Sequence, residues 1–254
     1  MTYLMAIDSG NTRIKWGLHD GLAWFKQGVV LHDNRASLHQ AWQDLPKPMH
    51  IIIANVAGAE AQVMLSELIS CWKLQPEWMT ATAYQCGVCN YYANPTLLGC
   101  DRWAGMIAAW KIQQQGCLVV NTGTAMTVDA LSDTGEFLGG IIMPGLNLMQ
   151  QTLTTHTALL KQEKGNFSDY PDNTADAIHS GAMQALVGAI ERMATLLSAT
   201  LGHIPSCIIS GGASYSLHSQ LNISAEIVDD LVLQGLVLVA MDNQKISTPT
   251  SINS

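Results

Sequence analysis

Charge is what this 254-residue chain has least of: only 13% of it is Asp, Glu, Lys or Arg. Twelve Lys and Arg stand against twenty Asp and Glu, for a formal net charge of −8. A protein that grips nucleic acid regardless of sequence needs a basic face, and these scattered cations do not make one. No nucleic-acid partner is expected. Small anions stay open, because a few placed cations and backbone N–H groups can bind them locally. No apolar run approaches the roughly 20 residues of a membrane span. The start lacks the basic-then-apolar pattern of a secretory leader, since Asp8 interrupts its short apolar run. A cytoplasmic protein with no membrane partner is expected. Of six cysteines, only Cys86 and Cys89 form a CxxC. That is half a zinc site, and no second pair follows at finger spacing. The thiols read as free, in a reducing compartment. None of the eight histidines lies at metal-ligand spacing. There is no GxxxxGK[ST] and no GxGxxG between strand and helix, so the P-loop and the Rossmann fingerprint are both excluded.

What is there is a large apolar fraction, 48%, enough for a substantial core. "MAIDSGNTRIKWGL" (Met5–Leu18) reads as a hairpin, "GLAWFKQGVV" as a third strand, and residues 35–45 as a short helix. "MHIIIANVAG" is the continuous apolar run of a strand buried on both faces. "EAQVMLSELISCWKL" and "DRWAGMIAAWKIQQQG" have helical spacing, the latter with Asp101 at its N-cap and Gly116 past its end. At Cys117 the pattern restarts. "CLVVNTGTAMTVDAL" is again strand, turn, strand, and "EFLGGIIMPG" a third strand. Helical patterns follow over 147–160 and 175–201, then "SCIISGGAS" as a strand with a Gly-rich turn, then a short strand and a last helix. The polar tail 243–254 reads as frayed. Two copies of one plan predict two related α/β domains, 1–116 and 117–254, with a cleft between them.

The turn "DSGNT" carries chemistry. Gly10 allows a tight turn and close approach of backbone to a ligand. Ser9, Asn11, Thr12 and the flanking N–H groups are hydrogen-bond donors. Lys15 adds positive charge, and Asp8 at the strand end can hold a metal ion directly or through water. Such a set suits a polyphosphate. Ordinary hairpin turns use the same residue types, but here the turn recurs as "NTGT". Paired strand–turn–strand clips on two related domains resemble the ribonuclease H-like ATPases, the superfamily of actin, sugar kinases and Hsp70. That resemblance implies ATP between the domains, with "SGGAS" (Ser210–Ser214) at the adenosine.

Between the clips lies "YYANPTLLGCDRWAG". Alone, Asp101 is a plain helix cap and Arg102 a plain helix residue. In order and spacing, however, "DSGNTRIK", "GCDR", "NTGTAMT" and "GGIIMPG" resemble type III pantothenate kinases. "LTTHTALL" and "NTADAIHSGA" extend the likeness. The resemblance implies phosphorylation of pantothenate by ATP with Mg²⁺, the first step toward coenzyme A. It makes Asp101 the general base toward pantothenate's primary hydroxyl. Tyr92, Gly99, Cys100, Asp101 and Arg102 become pantothenate contacts, joined by Thr174 from the partner subunit of a homodimer. Residues Asp8, Ser9, Gly10, Asn11, Thr12, Arg13, Ile14, Lys15 and Thr124 become the ATP site, and Asp8 anchors Mg²⁺ through water. The departure is Asn121, where the family's second clip has an Asp that ligates potassium or ammonium. An amide can offer its carbonyl oxygen but no charge, so weaker cation binding, or none, is expected. An amide donor touching phosphate directly is the other reading. A regulatory accessory protein that keeps the ATP fold is the rival function. A kinase for another small hydroxyl compound is a third.

The remaining aromatic and imidazole groups read as structural. Trp103 and Trp110, seven apart on one helix face, predict a buried or dimer-facing stripe, and His156 and His179 read as peripheral to the site.

Overall fold

The computed structural model describes residues 3–156 and 163–247. The chain divides into two units, Met1–Lys111 with Asp230–Ser254, and Ile112–Asp229. In the first, β1 (Leu4–Ser9), β2 (Arg13–His19) and β3 (Trp24–Leu31) form an antiparallel meander, followed by α1 (Arg35–Gln43), β4 (His50–Asn55) and α2 (Ala59–Ile69). A short β5 (Glu77–Trp78), the hairpin β6 (Tyr84–Gln85) and β7 (Val88–Asn90), and α3 (Cys100–Gln113) complete it. The sheet order is β3-β2-β1-β4-β5, with β4 parallel to β1 and to β5. Ile51 to Ala54 are all but inaccessible to solvent, as the unbroken apolar run requires of a strand covered on both faces. On one side of the sheet Trp16, Leu38, Trp42, Leu65 and Ile69 close a core. Trp16 and Trp42 meet edge to face at 6.3 Å, a preferred aromatic geometry.

The second unit repeats the plan. β8 (Cys117–Thr122), β9 (Ala125–Leu131) and β10 (Glu136–Pro144) form the meander. After α4 (Leu146–His156) and α5 (Thr174–Leu201), β11 (Ser206–Gly211) lies parallel to β8, followed by α6 (Ser214–His218) and β12 (Glu226–Ile227). The strands run β12-β11-β8-β9-β10. The equivalence is residue by residue: β1 and β8 share one burial pattern, and so do β2 and β9. Asp8 and Asn121 are both the fifth residue of their strand, at the one position not fully covered. The α5 helix starts where Asn173 accepts a hydrogen bond from the Asp176 N–H and stops at Gly202, which takes the left-handed φ of 80°.

Two expectations meet a different arrangement. The last helix, α7 (Leu231–Ser247), leaves the second unit and packs on β1 and β4 of the first. Leu231, Val232, Leu233, Leu236, Val237, Val239 and Ala240 are its buried residues. Gly235 makes this possible, because any Cβ there would run into the carbonyl of Ala104 on α3. An apolar helix face says that a sheet must cover it, not which sheet. Helix α3, secondly, begins at Cys100, and Gly99 caps it through a carbonyl bonded to the Trp103 N–H. Asp101 is therefore inside the first turn, not at the cap. The expected helix over 147–160 is seen to His156, and "TALL" (157–160) lies outside the described residues. The last helix continues to Ser247, the last described residue. Among the described residues, no helix is long and apolar enough to cross a membrane.

Candidate active site

Parallel pairing puts the ends of β1 and β4 side by side, Ser9 against Asn55. There the strands stop, and loops leave room for a ligand at the carboxyl ends, as in open α/β sheets generally. The turn after β1 is closed by the Gly10 N–H donating to the Arg13 carbonyl at 3.1 Å. Asn11, Thr12 and Arg13 are exposed on it. Ile14, expected with the ATP residues, sends its side chain into the core instead. Ser9 is fully buried, and its hydroxyl has no hydrogen-bond partner among the described residues. A hydroxyl left so costs free energy until something bonds it.

Asp101 arrives from the start of α3. Cys100 Sγ donates to the Asn55 carbonyl at 3.6 Å, tying the helix start to the end of β4. One Asp101 oxygen accepts the Arg102 N–H at 2.8 Å. A Cβ on Gly99 would stand 2.7 Å from that same oxygen. The glycine of "GCDR" is thus what lets the Asp101 carboxylate fold back over the turn.

The electrostatics bind these pieces together. Burial pushes the Asp8 carboxyl from its usual 3.8 up to about 7, and the Asp101 and Asp230 charges push the same way while Lys15 opposes them. Burial also raises Asp101, against the pull of the Arg102 N–H and charge. The Cys100 thiol is driven up to about 11, by burial first and by Asp101 next, so it stays protonated and is no nucleophile. Lys15 pairs with Asp8 across the hairpin, and its Nζ donates to Asp230 Oδ1 at 2.9 Å. Asp230 was not legible in the sequence, being 215 positions from Lys15.

Tyr92 is on an exposed loop whose backbone is held by Asn90, through the Tyr92 N–H at 3.1 Å. Arg102 is buried, 8% exposed. In the second unit the Gly123 N–H donates to the Ala125 carbonyl at 2.9 Å, closing the second turn, where Thr124 is exposed and Asn121 half-buried. Thr122 welds this turn to the Gly-rich one. Its hydroxyl donates to the Ser210 carbonyl at 2.9 Å and accepts the Ala213 N–H at 3.2 Å. Gly211, at φ 102°, allows a backbone approach that a side chain would block. Ser214 beside it is fully buried with an unbonded hydroxyl among the described residues. Thr174 lies elsewhere in that unit, on the rim of a cavity of about 840 Å³ lined by Met149, Leu153, Ile178 and Ala182.

Comparison with known proteins fits this arrangement. The family model for type III pantothenate kinase matches residues 4–196. A type III pantothenate kinase of Nitrosospira multiformis is 57% identical over 242 residues, covering 95% of this chain and 92% of that one. Among solved structures, a protein from Campylobacter jejuni described as a Baf family transcriptional activator superposes with a TM-score of 0.61 at 19% identity, covering 95% of this chain and 99% of that one. One from Sinorhizobium meliloti described as a 2-dehydro-3-deoxygalactonokinase gives 0.58 at 14% identity, covering 98% and 100%. At these identities the two structures attest the fold, the two-domain architecture of the actin-like ATPases and sugar kinases.

Proposed function

The chain belongs to the type III pantothenate kinase family and is an enzyme that phosphorylates pantothenate at the entry to coenzyme A biosynthesis; we propose that Asp101 is its general base and the turn after β1 its first phosphate site. The observation that carries the proposal is the convergence of Asp8, Ser9, Lys15 and Asp101 at the ends of β1, β2 and β4 and the start of α3.

Phosphoryl transfer leaves the protein little covalent chemistry, so catalysis is mostly placement and charge. Asp101 takes the proton of the primary hydroxyl as its oxygen attacks the γ-phosphorus of ATP and ADP leaves. Its raised pKa makes it the better proton acceptor. The exposed Asn11 amide, the exposed Thr12 hydroxyl, the orphan hydroxyl of Ser9 and the Lys15 ammonium donate to phosphate oxygens. Thr124 does so in the second unit, where the buried Ser214 hydroxyl at the Gly-rich turn would meet the nucleoside. Tyr92, Gly99, Cys100 and Arg102 line the place for pantothenate.

Asp8 fits Mg²⁺ on the chemistry of its surroundings. It is a half-buried carboxylate at the strand end whose charge feels those of Asp101 and Asp230, with Lys15 opposing them. The ion would be held through water and would neutralise phosphate charge. Asn121 fits a monovalent cation poorly, because a neutral amide replaces the carboxylate that would hold it, and no step here runs through such an ion. We further propose a homodimer that completes each site with Thr174 of the other copy; the exposed Thr174 beside an apolar cavity supports this. The regulatory reading is not favoured, since the relative of high identity is named a kinase.

The test is phosphate transfer from ATP to pantothenate by the purified protein, with and without potassium, beside Asp101→Asn. Formation of phosphopantothenate by the wild type and its loss in the variant are expected. A folded wild type that makes no product with any cation would overturn the proposal.

A further inference from the structure

Asp230 is the residue before α7, and its backbone is unusual. It adopts a φ of 54°, in the left-handed region that side chains other than Asn and Asp rarely tolerate. Its two carboxylate oxygens reach different strands. Oδ1 accepts Lys15 Nζ from β2 at 2.9 Å, and Oδ2 accepts Gln27 Nε2 from β3 at 3.2 Å. The register makes this a fitted contact. Gln27 is opposite Gly17, so Lys15 and Gln27 are diagonal neighbours on one face of the sheet, and Asp230 bridges them. Both members of the ion pair are about one-third exposed, 30% each. A pair that exposed contributes little to stability, while a left-handed backbone away from glycine costs some. Stability is therefore a poor account of why an acid stands there. Its consequence is local: it decides where the Lys15 ammonium points.

We propose that Asp230 is the counter-charge that competes with the nucleotide's phosphates for Lys15 and so sets how tightly the first turn holds them. The inference rests on the reading of that turn as a phosphate site. Lys15 is a compact charge on a flexible stem, so it can turn from one anion to another. With Asp230 it is held on the Asp8 side of the hairpin, and incoming phosphate must share it. Lys15 lies opposite Asp8 in the hairpin register, and Asp8 in turn feels the charges of Asp101, Lys15 and Asp230. Removing the Asp230 charge leaves Lys15 wholly to the phosphates and takes one anion from their surroundings.

The experiment is equilibrium binding of ATP and of ADP, by calorimetry without pantothenate, to wild type, Asp230→Asn, Lys15→Gln and the double variant. Asn tolerates the left-handed backbone, and Asp230→Gly, which suits it better, is the second variant if the first melts early. Asp230→Asn is expected to bind both nucleotides about fivefold tighter and to release ADP more slowly. Lys15→Gln is expected to bind about tenfold weaker, and in its background the gain from Asp230→Asn should vanish. A loss of general structure cannot tighten binding, so this sign separates competition for Lys15 from mere support. Unchanged or weaker binding by Asp230→Asn, with Lys15→Gln weakened as expected, overturns the role of Asp230 alone. An equal gain in the Lys15→Gln background does the same, since it shows a bare field effect. Normal binding by Lys15→Gln overturns the phosphate-site reading and the inference with it.

Discussion

Replacing Asp8 by Asn should make the protein more stable and inactive at once. The folded-state pKa of Asp8 is about 7 against the usual 3.8, raised first by burial and then by Asp101. Between those two values the folded chain keeps a proton that the unfolded chain has lost, so stability falls as pH rises through that window. A gap of about 3 pH units converts to roughly 4 kcal/mol in full. Asp8 keeps some contact with solvent, which screens the charge, so about half of that, ~2 kcal/mol, is the expected cost at pH 8. Asn carries no charge and escapes it. At about 2–4 °C per kcal/mol for a chain of this size, the Asp8→Asn protein should melt about 4–8 °C above wild type at pH 8, with nucleotide and divalent ions removed. The advantage should shrink as pH falls and disappear well below the unfolded value of 3.8, where wild-type Asp8 is protonated in both states. Calorimetry over a pH series reads this directly. A melting difference that does not change with pH, or a less stable variant at pH 8, would refute the reasoning.

Three further outcomes follow from the same geometry. Gly99→Ala places a methyl against Asp101 Oδ1; displacing the base should cut kcat about a hundredfold while the melting temperature barely moves, and full activity would show that the carboxylate need not fold over that turn. Asn121→Asp should create or strengthen potassium dependence of the rate, seen by titrating potassium chloride against choline chloride; identical salt responses in both proteins would remove Asn121 from the account. Mixing inactive Asp101→Asn protein with an inactive Thr174→Trp protein should restore about a quarter of wild-type activity if subunits exchange and share sites, whereas no recovery after demonstrated exchange would leave Thr174 outside the site.

Much of this was legible in the chain. The turns announce themselves through Gly10 and Gly123 between alternating strands, because short-range backbone geometry is written in local residue type. The run of Ile51–Ile53 predicts a strand covered on both faces for the same local reason. Even the exchange of Asp8 for Asn121 could be noticed as a repeat with one letter changed, and the matching burial patterns of β1 and β8 make it a true structural equivalence. The expected cap at Asp101 lies two residues past the actual one, since a helix cap depends on which carbonyl finds the first amide, and Gly99 takes that role.

What sequence alone determined, then, is periodicity, turn chemistry and the residue types offered to a phosphate and a hydroxyl. Tertiary structure decided the rest. It sent α7 back to the first sheet, because apolar faces attract without naming a partner and only Gly235 fits the space beside Ala104. It also brought Asp230 to Lys15 across 215 residues, because side-chain charges act through space while the sequence records only distance along the chain.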